Sequence, residues 1–279
     1  MTGRRRLDAE LVRRGLASSR EQARIVVGEG NVLVGGAPAV KPSRLVAPGE
    51  PVVVLGPPPR FVGRGGEKLA AALDFFGLDA TGRWALDAGA STGGFTDCLL
   101  QRGARHVTAV DVGHGQIHEH LRSDPRVTVR ERTDIRRFVL GPPADLVVAD
   151  LSFISLASVA ESLVVTNAAP HADVVVLVKP QFEAGRVEAS RGKGVIRDPA
   201  VWRLALESVR SALEGRGAAM MGAMVSPLTG AAGNVEFLAH LEAHAGRAHT
   251  PAVDLDALVD SVVDSVVEPV VGPDAGGQP

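Results

Sequence analysis

Four charged residues that lie far apart in the sequence have the chemistry needed to act together on a poorly nucleophilic hydroxyl group. They are Lys68, Asp150, Lys179 and Glu236. Asp150 ends the run DLVVAD, and Lys179 directly follows five apolar residues, VVVLV. Ligands bind at the carboxyl ends of the strands in open parallel sheets, so these side chains are expected at one sheet edge. The alternative for Lys179 is a lysine that extends from a strand end into solvent.

Group transfer to such a hydroxyl requires that the acceptor be positioned and that its proton be accepted. Lysine can accept the proton when its surroundings favour the neutral amine, and a second cation such as Lys68 does so. Asp150 and Glu236 would orient the lysines while favouring the charged form. The group of four therefore indicates a balanced proton-transfer site.

A loop of small residues, Asp87-Ala-Gly89-Ala-Ser91-Thr-Gly93-Gly94-Phe95, lies where a predicted strand should turn into a helix. Small residues let backbone approach a ligand closely, and a helix N-terminus offers free N–H groups. The G-x-G-x-x-G spacing of dinucleotide oxidoreductases is not matched, because Ser91 stands at the second glycine position. A nucleotide-type ligand site and a purely structural turn both remain open.

Two further acids lie where a nucleotide-like ligand would need them. Asp111 ends the next predicted strand, TAVD, about 20 residues downstream, where an acid meets a ribose diol in nucleotide-binding α/β folds. Asp134 follows the third strand and could accept an exocyclic amine of adenine, or could simply cap a turn. The pairing of Asp111 with the glycine loop favours a nucleotide-like ligand.

Apolar strands separated by helix-length intervals must position these residues. The predicted strands are RWALDAG, HVTAVDVG, RVTVRE, DLVVADLS, DVVVLVKP and AAMMGAMVSP. This pattern predicts a parallel sheet covered on both faces. The following GAAGNVEFLAHLEAH is interpreted as a turn or strand and then a helix, and the basic, glycine-rich residues 184–198 as a mobile loop.

The N-terminal region has a different pattern and a different charge. Residues 7–16 and 19–28 have helical spacing and end in glycine, and NVLVGGAPAV and PVVVL then predict a small sheet. Residues 1–60 hold ten Lys and Arg against five Asp and Glu, whereas the remainder is net acidic. A compact basic module suggests a polyanionic partner. The stiff GPPPR at 56–60 marks the expected boundary.

Composition narrows the class of protein. The 279 residues are 45% hydrophobic and 22% charged, which is typical of globular chains and allows two domains. Cys98 is the one cysteine, so an internal disulfide is excluded, and its apolar helical context predicts a small buried hydrophobe. No apolar run reaches the ~20 residues that span a bilayer, which predicts a cytoplasmic protein.

The chain resembles the TlyA family, hemolysin-type RNA 2′-O-methyltransferases whose catalytic domain is similar to the FtsJ methyltransferases. The matching segments are GRGGEKL (63–69), LDAGASTGGFTDCLL (86–100), AVDVGHGQ (109–116), ADLSFISL (149–156), VKPQFEAGR (178–186), KGVIRD (193–198) and GNVEFL (233–238). The N-terminal segment resembles the alpha-L RNA-binding module of ribosomal protein four. The resemblance implies a Rossmann-like, α/β class I S-adenosylmethionine-dependent methyltransferase domain with a small α+β RNA-binding domain.

The resemblance also implies roles for individual residues. The catalytic group would be Lys68, Asp150, Lys179 and Glu236, with Lys179 taking the 2′-hydroxyl proton. The methyl donor, S-adenosyl-L-methionine, would be surrounded by Asp87, Gly89, Ser91, Gly93, Gly94, Phe95, Asp111, Asp134 and Phe153. RNA would be bound by Arg4, Arg5, Arg6, Arg20, Arg24, Lys41, Arg64 and Lys193.

The expected organisation is an RNA-binding domain at 1–58, a linker at 59–63, the methyltransferase domain at 64–246, and an acidic segment at 247–279 with one helix and a disordered tail. The expected partner is ribosomal RNA within ribosomal subunits. The protein is expected to be a monomer that binds neither a metal ion nor a membrane. The expected product is a cytidine 2′-O-methyl group on small- or large-subunit ribosomal RNA.

Three alternatives differ in class. A base-modifying methyltransferase would need an Asn/Asp-Pro-Pro-aromatic motif, which the sequence lacks, or a nucleophilic thiol, for which Cys98 is badly placed. A membrane-active hemolysin is suggested by the family's other name alone. A non-catalytic ribosome-assembly factor would tolerate loss of the four charged residues, and all four are present.

Replacing Arg4, Arg5 and Arg6 together by Ala should weaken RNA binding in a salt-dependent way. Each lost phosphate contact lowers the slope of log affinity against log salt by about 1. The measurement is a salt series of RNA affinity for variant and wild type. An unchanged slope would remove the N-terminal arm from the RNA interface.

Overall fold

The computed structural model describes residues 3–17, 20–56, 59–183, 195–230 and 233–244, with residues 257, 260, 263 and 264 of the C-terminal segment. The N-terminal part has two helices, α1 (Leu7–Arg13) and α2 (Arg20–Gly28), and five short strands, β1 (Arg5–Arg6), β2 (Val32–Val34), β3 (Ala37–Pro38), β4 (Leu45–Val46) and β5 (Val52–Val54). Strands β1 and β4 pair with each other, and β3-β2-β5 form a three-stranded antiparallel sheet.

The two helices cover the small sheet through an apolar core of their own. Leu7 and Leu11 of α1 and Val27 of α2 are completely buried against Val32 of β2. The predicted helices followed by a sheet are confirmed. Helix α1 ends three residues earlier than expected, close to Gly15, whose φ of +69° does not continue a right-handed helix.

The rest of the chain forms a seven-stranded sheet with helices on both faces. The strands are β6 (Trp84–Ala88), β7 (His106–Val110), β8 (Val127–Arg130), β9 (Ala144–Ala149), β10 (Ala168–Val178), β11 (Ala219–Val225) and β12 (Phe237–Glu242). The helices are α3 (Gly65–Phe76), α4 (Gly94–Gln101), α5 (Glu119–Arg122), α6 (Pro180–Glu183) and α7 (Pro199–Glu214), with 3-10 turns at Ile135–Arg137 and Leu156–Ser158 and a π-helix at Glu161–Thr166. The spatial strand order is β11-β12-β10-β9-β6-β7-β8.

Both faces of the central strands are buried, as the sequence predicts. In β9, Leu146 and Val148 belong to the core beneath α3 and α4, whereas Val147 and Ala149 belong to the core beneath α7. Strands β8, β7, β6, β9 and β10 pair in parallel. Cys98 is completely buried, which confirms its role as a small core residue.

One element differs from the prediction. The sequence GAAGNVEFLAHLEAH was interpreted as a turn or strand and then a helix, but Phe237–Glu242 is strand β12 throughout, which lies between β10 and β11 and is antiparallel to both. Its ladders with two neighbours satisfy the backbone of a segment whose side chains are almost all buried, including Phe237, Leu238 and Ala239. The sheet is therefore mixed rather than wholly parallel.

This antiparallel strand completes the functional edge of the sheet. Gly89, Asp111, Asp150 and Lys179 each follow the carboxyl end of a parallel strand. Because β12 runs the other way, its amino end lies at the same edge, and its first residue pairs with Val178. Glu236, directly before β12, is thereby brought beside the residues that end the parallel strands.

The connection between the two parts packs against the second. Phe61 and Val62 are buried, and the Val62 amide donates to Asp97 Oδ2 of α4 at 2.8 Å. The carbonyl of Arg60 accepts a hydrogen bond from Gln101 at the other end of α4. The residues just before α3 are thus held on the helix that follows the glycine loop.

Two predicted segments lie largely outside the described residues. Of the loop expected at 184–198, only residues 195–198 are described, and Ile196 there is buried with its amide bonded to Asn234 Oδ1 at 2.9 Å. Of the acidic segment at 247–279, four residues are described, and Val263 packs into the main core.

Candidate active site

The glycine loop connects β6 to α4, and its glycines allow it to approach the loop that follows β9. Gly89 has φ +85°, and a Cβ on it would lie 2.4 Å from the carbonyl oxygen of Asp150. Gly93 has φ +97°, and a Cβ there would lie 2.3 Å from Leu121. Any residue with a Cβ would therefore collide with a neighbouring residue at both positions, so both require glycine. The loop after β6 therefore packs directly against the backbone that follows β9.

Asp111 fastens this loop to the next one. Its Oδ2 accepts the Ser91 amide at 2.8 Å, and its Oδ1 accepts the Gly113 amide at 2.6 Å. Ser91 has a left-handed φ of +48°. A carboxylate offers about four acceptor positions, so Asp111 keeps capacity for a ligand hydroxyl.

A cavity of about 440 Å³ lies beside Asp111, within the ~300–1,000 Å³ typical of small-molecule sites. Five of the predicted donor-binding residues line it: Gly89, Ser91, Asp111, Asp134 and Phe153. The sequence analysis missed other lining residues, which include Val112, Gln116, Ile135, Leu151 and Ile154. We call this space the nucleoside cavity, because it combines carboxylates with apolar walls.

Asp134 caps a turn, which is one of its two predicted roles. It caps the turn Ile135–Arg137 by accepting the Arg136 amide at 3.0 Å, and it forms an ion pair with the Arg136 side chain at 2.5 Å. The hydrogen bond from Arg136 lowers the pKa of Asp134 to about 2, so the carboxylate is ionised at neutral pH. It lines the nucleoside cavity at the same time.

Phe153 lies at the outer wall of the nucleoside cavity. Its side chain is 90% exposed, its φ is +65°, and its ring centroid is 5.2 Å from that of Phe182. A left-handed conformation is costly for an aromatic residue. The loop after Asp150 is therefore held in a form that presents this ring to solvent.

A second cavity, which we call the tetrad cavity, contains the four predicted catalytic residues and has a volume of about 240 Å³. Lys68 Nζ lies 2.5 Å from Glu236 Oε2, and Lys179 Nζ lies 2.5 Å from Asp150 Oδ1. Both lysines are less than one-tenth exposed. The sequence-distant residues are thus assembled as two ion pairs in one space.

Two features of the tetrad cavity carried no signal in the sequence. Ser152 Oγ accepts a hydrogen bond from Lys179 Nζ at 3.0 Å, so the amine contacts both Asp150 and Ser152. Ile25 of α2 also lines the cavity, which places the N-terminal module at its border. Each follows from a contact between distant elements, which spacing along the chain does not reveal.

The two cavities adjoin each other. Gly89, Ser91, Asp150 and Ser152 line both of them. A group bound in the nucleoside cavity can therefore meet a group bound in the tetrad cavity across these four residues. This is the geometry needed for transfer between two ligands.

The remaining donor-site predictions fall elsewhere. Gly94 and Phe95 line the tetrad cavity rather than the nucleoside cavity. Asp87 and Gly93 are not among the described residues that line either cavity. Asp87 is completely buried beneath the loop and accepts a hydrogen bond from Thr96 Oγ1 at 2.6 Å, so it supports the loop from behind.

The predicted RNA contacts lie mostly on the N-terminal module. Arg4, Arg5 and Lys41 are exposed, whereas Arg6, Arg20 and Arg24 approach the buried carboxylate of Asp8. Arg64 precedes α3 and lines the tetrad cavity. Lys193 lies outside the described residues.

In the described part of the chain, no three potential metal-binding side chains form a cluster, and no helix is long and apolar enough to cross a membrane.

A Rossmann-like sheet with a glycine loop after β6 and two adjoining cavities at its edge fits an FtsJ-like methyltransferase. Residues 61–243 match the FtsJ-like methyltransferase family, and residues 5–52 match the S4 domain. The chain belongs to the TlyA family, as its relatives show.

Three similar proteins illustrate this relationship. The 16S/23S rRNA (cytidine-2′-O)-methyltransferase TlyA of Mycobacterium tuberculosis is 48% identical, over 89% of this chain and 93% of the relative. Hemolysin A of Brachyspira hyodysenteriae is 36% identical, over 84% of this chain and 98% of its own. A solved structure of a hemolysin-named protein from Streptococcus thermophilus is 36% identical with a TM-score of 0.75, and the match covers 95% of this chain and 96% of that one.

Replacing Asp87 by Asn should remove one component of the pH dependence of stability. Burial raises the pKa of Asp87 to about 7, and repulsion from Asp150 adds to the shift. The folded protein therefore keeps a proton that the unfolded chain releases above about pH 4. The wild-type free energy of unfolding should fall between about pH 4 and pH 7 and then level off, by at most about 4 kcal/mol.

Urea unfolding of wild type and Asp87→Asn across this pH range provides the measurement. The difference between the two curves cancels the contributions of all other carboxylates. Asp87→Asn should be the more stable protein at pH 8, and identical curves would contradict a protonated Asp87 in the folded state.

Proposed function

We propose that this protein transfers a methyl group from S-adenosyl-L-methionine to the 2′-oxygen of a cytidine ribose in ribosomal RNA. The observation that carries the proposal is the meeting of the two cavities at Gly89, Ser91, Asp150 and Ser152. The substrate class is the one for which relatives such as the Mycobacterium tuberculosis enzyme are named. A ribosomal RNA substrate places the reaction in the cytoplasm.

The residues of the nucleoside cavity suit S-adenosyl-L-methionine. Asp111 would accept the ribose hydroxyls, and Asp134 would accept the exocyclic amine of the adenine. Val112, Ile135 and Ile154 would pack against the base. The close approach of Gly89 to the Asp150 carbonyl leaves no room for a side chain at position 89, on the boundary with the tetrad cavity. When bound, this donor supplies an electrophilic methyl group carried on a sulfonium.

The tetrad cavity would position and deprotonate the acceptor. In that reaction the 2′-oxygen would bond to the methyl carbon as the carbon–sulfur bond of the donor breaks, and Lys179 would accept the hydroxyl proton. Asp150 and Ser152 orient that amine at the boundary of the two cavities. The Lys68–Glu236 ion pair holds the opposite wall, where a ribose can be fixed for in-line attack.

The N-terminal module would bring RNA to this cavity. Its exposed basic residues, Arg4, Arg5 and Lys41, would contact phosphates without reading sequence. Arg64 at the cavity rim would hold the strand that carries the acceptor, and Lys193 would contact the same RNA. Ile25 at the cavity border joins the two binding regions.

Lys179→Ala should abolish methyl transfer while leaving donor affinity nearly unchanged. A positioned general base contributes about 10²–10⁴-fold to rate, and Lys179 lines the tetrad cavity rather than the nucleoside cavity. The measurement is transfer of labelled methyl to ribosomal subunits, followed by nuclease digestion to locate the label. Arg216→Ala, which removes a cation from an exposed ion pair with Glu161, is the control and should behave as wild type.

Label on a ribose 2′-oxygen that disappears in Lys179→Ala supports the proposal. Label on a base would replace it with a base-modifying activity. Full transfer by Lys179→Ala would exclude this lysine as the proton acceptor.

Asp111→Ala should weaken donor binding first. It removes a carboxylate that would accept the ribose hydroxyls and also releases the Ser91 and Gly113 amides. Hydrogen bonds to a charged group contribute about 1.5–3 kcal/mol, so affinity should fall at least 10-fold in titration calorimetry. Asp124→Ala is the matched control, because Asp124 pairs with its own neighbour Arg126. Unchanged affinity for Asp111→Ala would place the donor elsewhere.

A further inference from the structure

One buried carboxylate gathers three arginines in the N-terminal module. Arg6 donates to Asp8 through Nε at 3.1 Å and Nη2 at 3.0 Å. Arg20 Nη2 donates to Asp8 Oδ2 at 3.0 Å, and Arg24 Nε lies 3.6 Å from the same oxygen. Arg6 directly precedes α1, and Arg20 and Arg24 lie four residues apart in α2, on one face of the helix.

The carboxylate and the guanidinium groups differ sharply in exposure. The Asp8 side chain is 0% exposed, whereas those of Arg6, Arg20 and Arg24 are 46%, 53% and 58% exposed. The hydrogen bond from Arg6 holds the pKa of Asp8 well below its usual range, so the carboxylate is charged at neutral pH. The four groups together carry a net charge of +2, directed outward.

A fourth basic residue, Lys41, lies in a loop whose backbone is bonded to the start of α1. The Asp8 amide donates to the carbonyl of Pro42 at 3.0 Å, and the Leu7 amide donates to that of Arg44 at 2.7 Å. The loop that begins with the exposed Lys41 is thereby fixed beside Asp8. Basic residues from three regions of the sequence therefore converge on one surface.

We propose that Asp8 is a positioning residue that holds Arg6, Arg20 and Arg24 as one preformed site for RNA phosphates. The proposal rests on the proposed function, because it takes RNA as the partner. A guanidinium binds a phosphate best through two parallel N–H donors, which requires a set orientation. Arginines already ordered by Asp8 lose less conformational freedom when RNA binds.

Removing the negative charge of Asp8 has opposite expected effects on RNA affinity, depending on whether Asp8 acts through charge alone or through positioning. Neutralising the carboxylate raises the net charge of the cluster by one unit, which should tighten RNA binding and steepen its salt dependence. Loss of positioning should weaken binding and flatten the salt dependence. The sign of the change therefore distinguishes a positioning carboxylate from one that only lowers the charge of the cluster.

The test compares Asp8→Asn with Glu10→Gln in the full chain. Glu10 is a matched control, because it is also buried in α1 and also binds two arginines, Arg13 at 2.6 Å and Arg14 at 2.7 Å. The probe is deproteinised ribosomal RNA, titrated over a salt series. Asp8→Asn should bind at least 10-fold more weakly with a salt slope lower by about 1 to 2, and Glu10→Gln should stay within about 3-fold of wild type.

A charge-conserving variant covers the case in which Asp8→Asn does not fold. Arg20→Lys keeps the charge but loses the planar pair of donors, so a preformed phosphate site predicts a loss of several-fold in affinity. Arg13→Lys is its control and should bind as wild type does. Thermal unfolding verifies that each variant retains its N-terminal core.

Three results would overturn the proposal: tighter binding by Asp8→Asn, equal losses for Asp8→Asn and Glu10→Gln, or wild-type affinity for Arg20→Lys. These results are separable from failure of the proposed function. Ribose methylation by the wild type is measured independently, so label on a base would refute that function while leaving the affinity comparison intact.

Discussion

The contact between the Gly89 backbone and the Asp150 carbonyl constrains the whole functional edge. It forces the loop after β6 and the loop after β9 to within a distance that no Cβ would permit. The nucleoside cavity and the tetrad cavity meet beside this contact, because Gly89 and Asp150 line both of them.

The ion pairs of the tetrad cavity and those of the N-terminal module differ in how far their cations are exposed to solvent. In the tetrad cavity, two lysines and two carboxylates form buried pairs, in which the attraction offsets the cost of leaving water only when the geometry is good. In the N-terminal module, arginines surround single buried carboxylates and keep their outer surfaces in solvent. The first arrangement suits proton transfer away from water, and the second suits binding of a polyanion.

The sequence predicted those parts of the fold that depend on local pattern. Five apolar runs became parallel strands because burial on both faces selects continuous β-branched residues. The sequence did not decide between strand and helix for β12, because FLAHLEAH also suits a helix and its pairing with β10 and β11 comes from tertiary context. Glu236 was assigned through family resemblance, and its route to the cavity became clear only from that strand. The burial of Asp87 and the convergence on Asp8 likewise depend on contacts between elements that spacing does not encode.

The pairing of Lys68 with Glu236 joins residues 168 positions apart in the chain. The N-terminal core, in contrast, draws all its members from residues 7–54. During synthesis the N-terminal module therefore has its complete set of core contacts early, whereas the Lys68–Glu236 pair exists only after β12 has left the ribosome. An unfinished chain that ends before β12 would have a folded N-terminal module and an incomplete tetrad cavity.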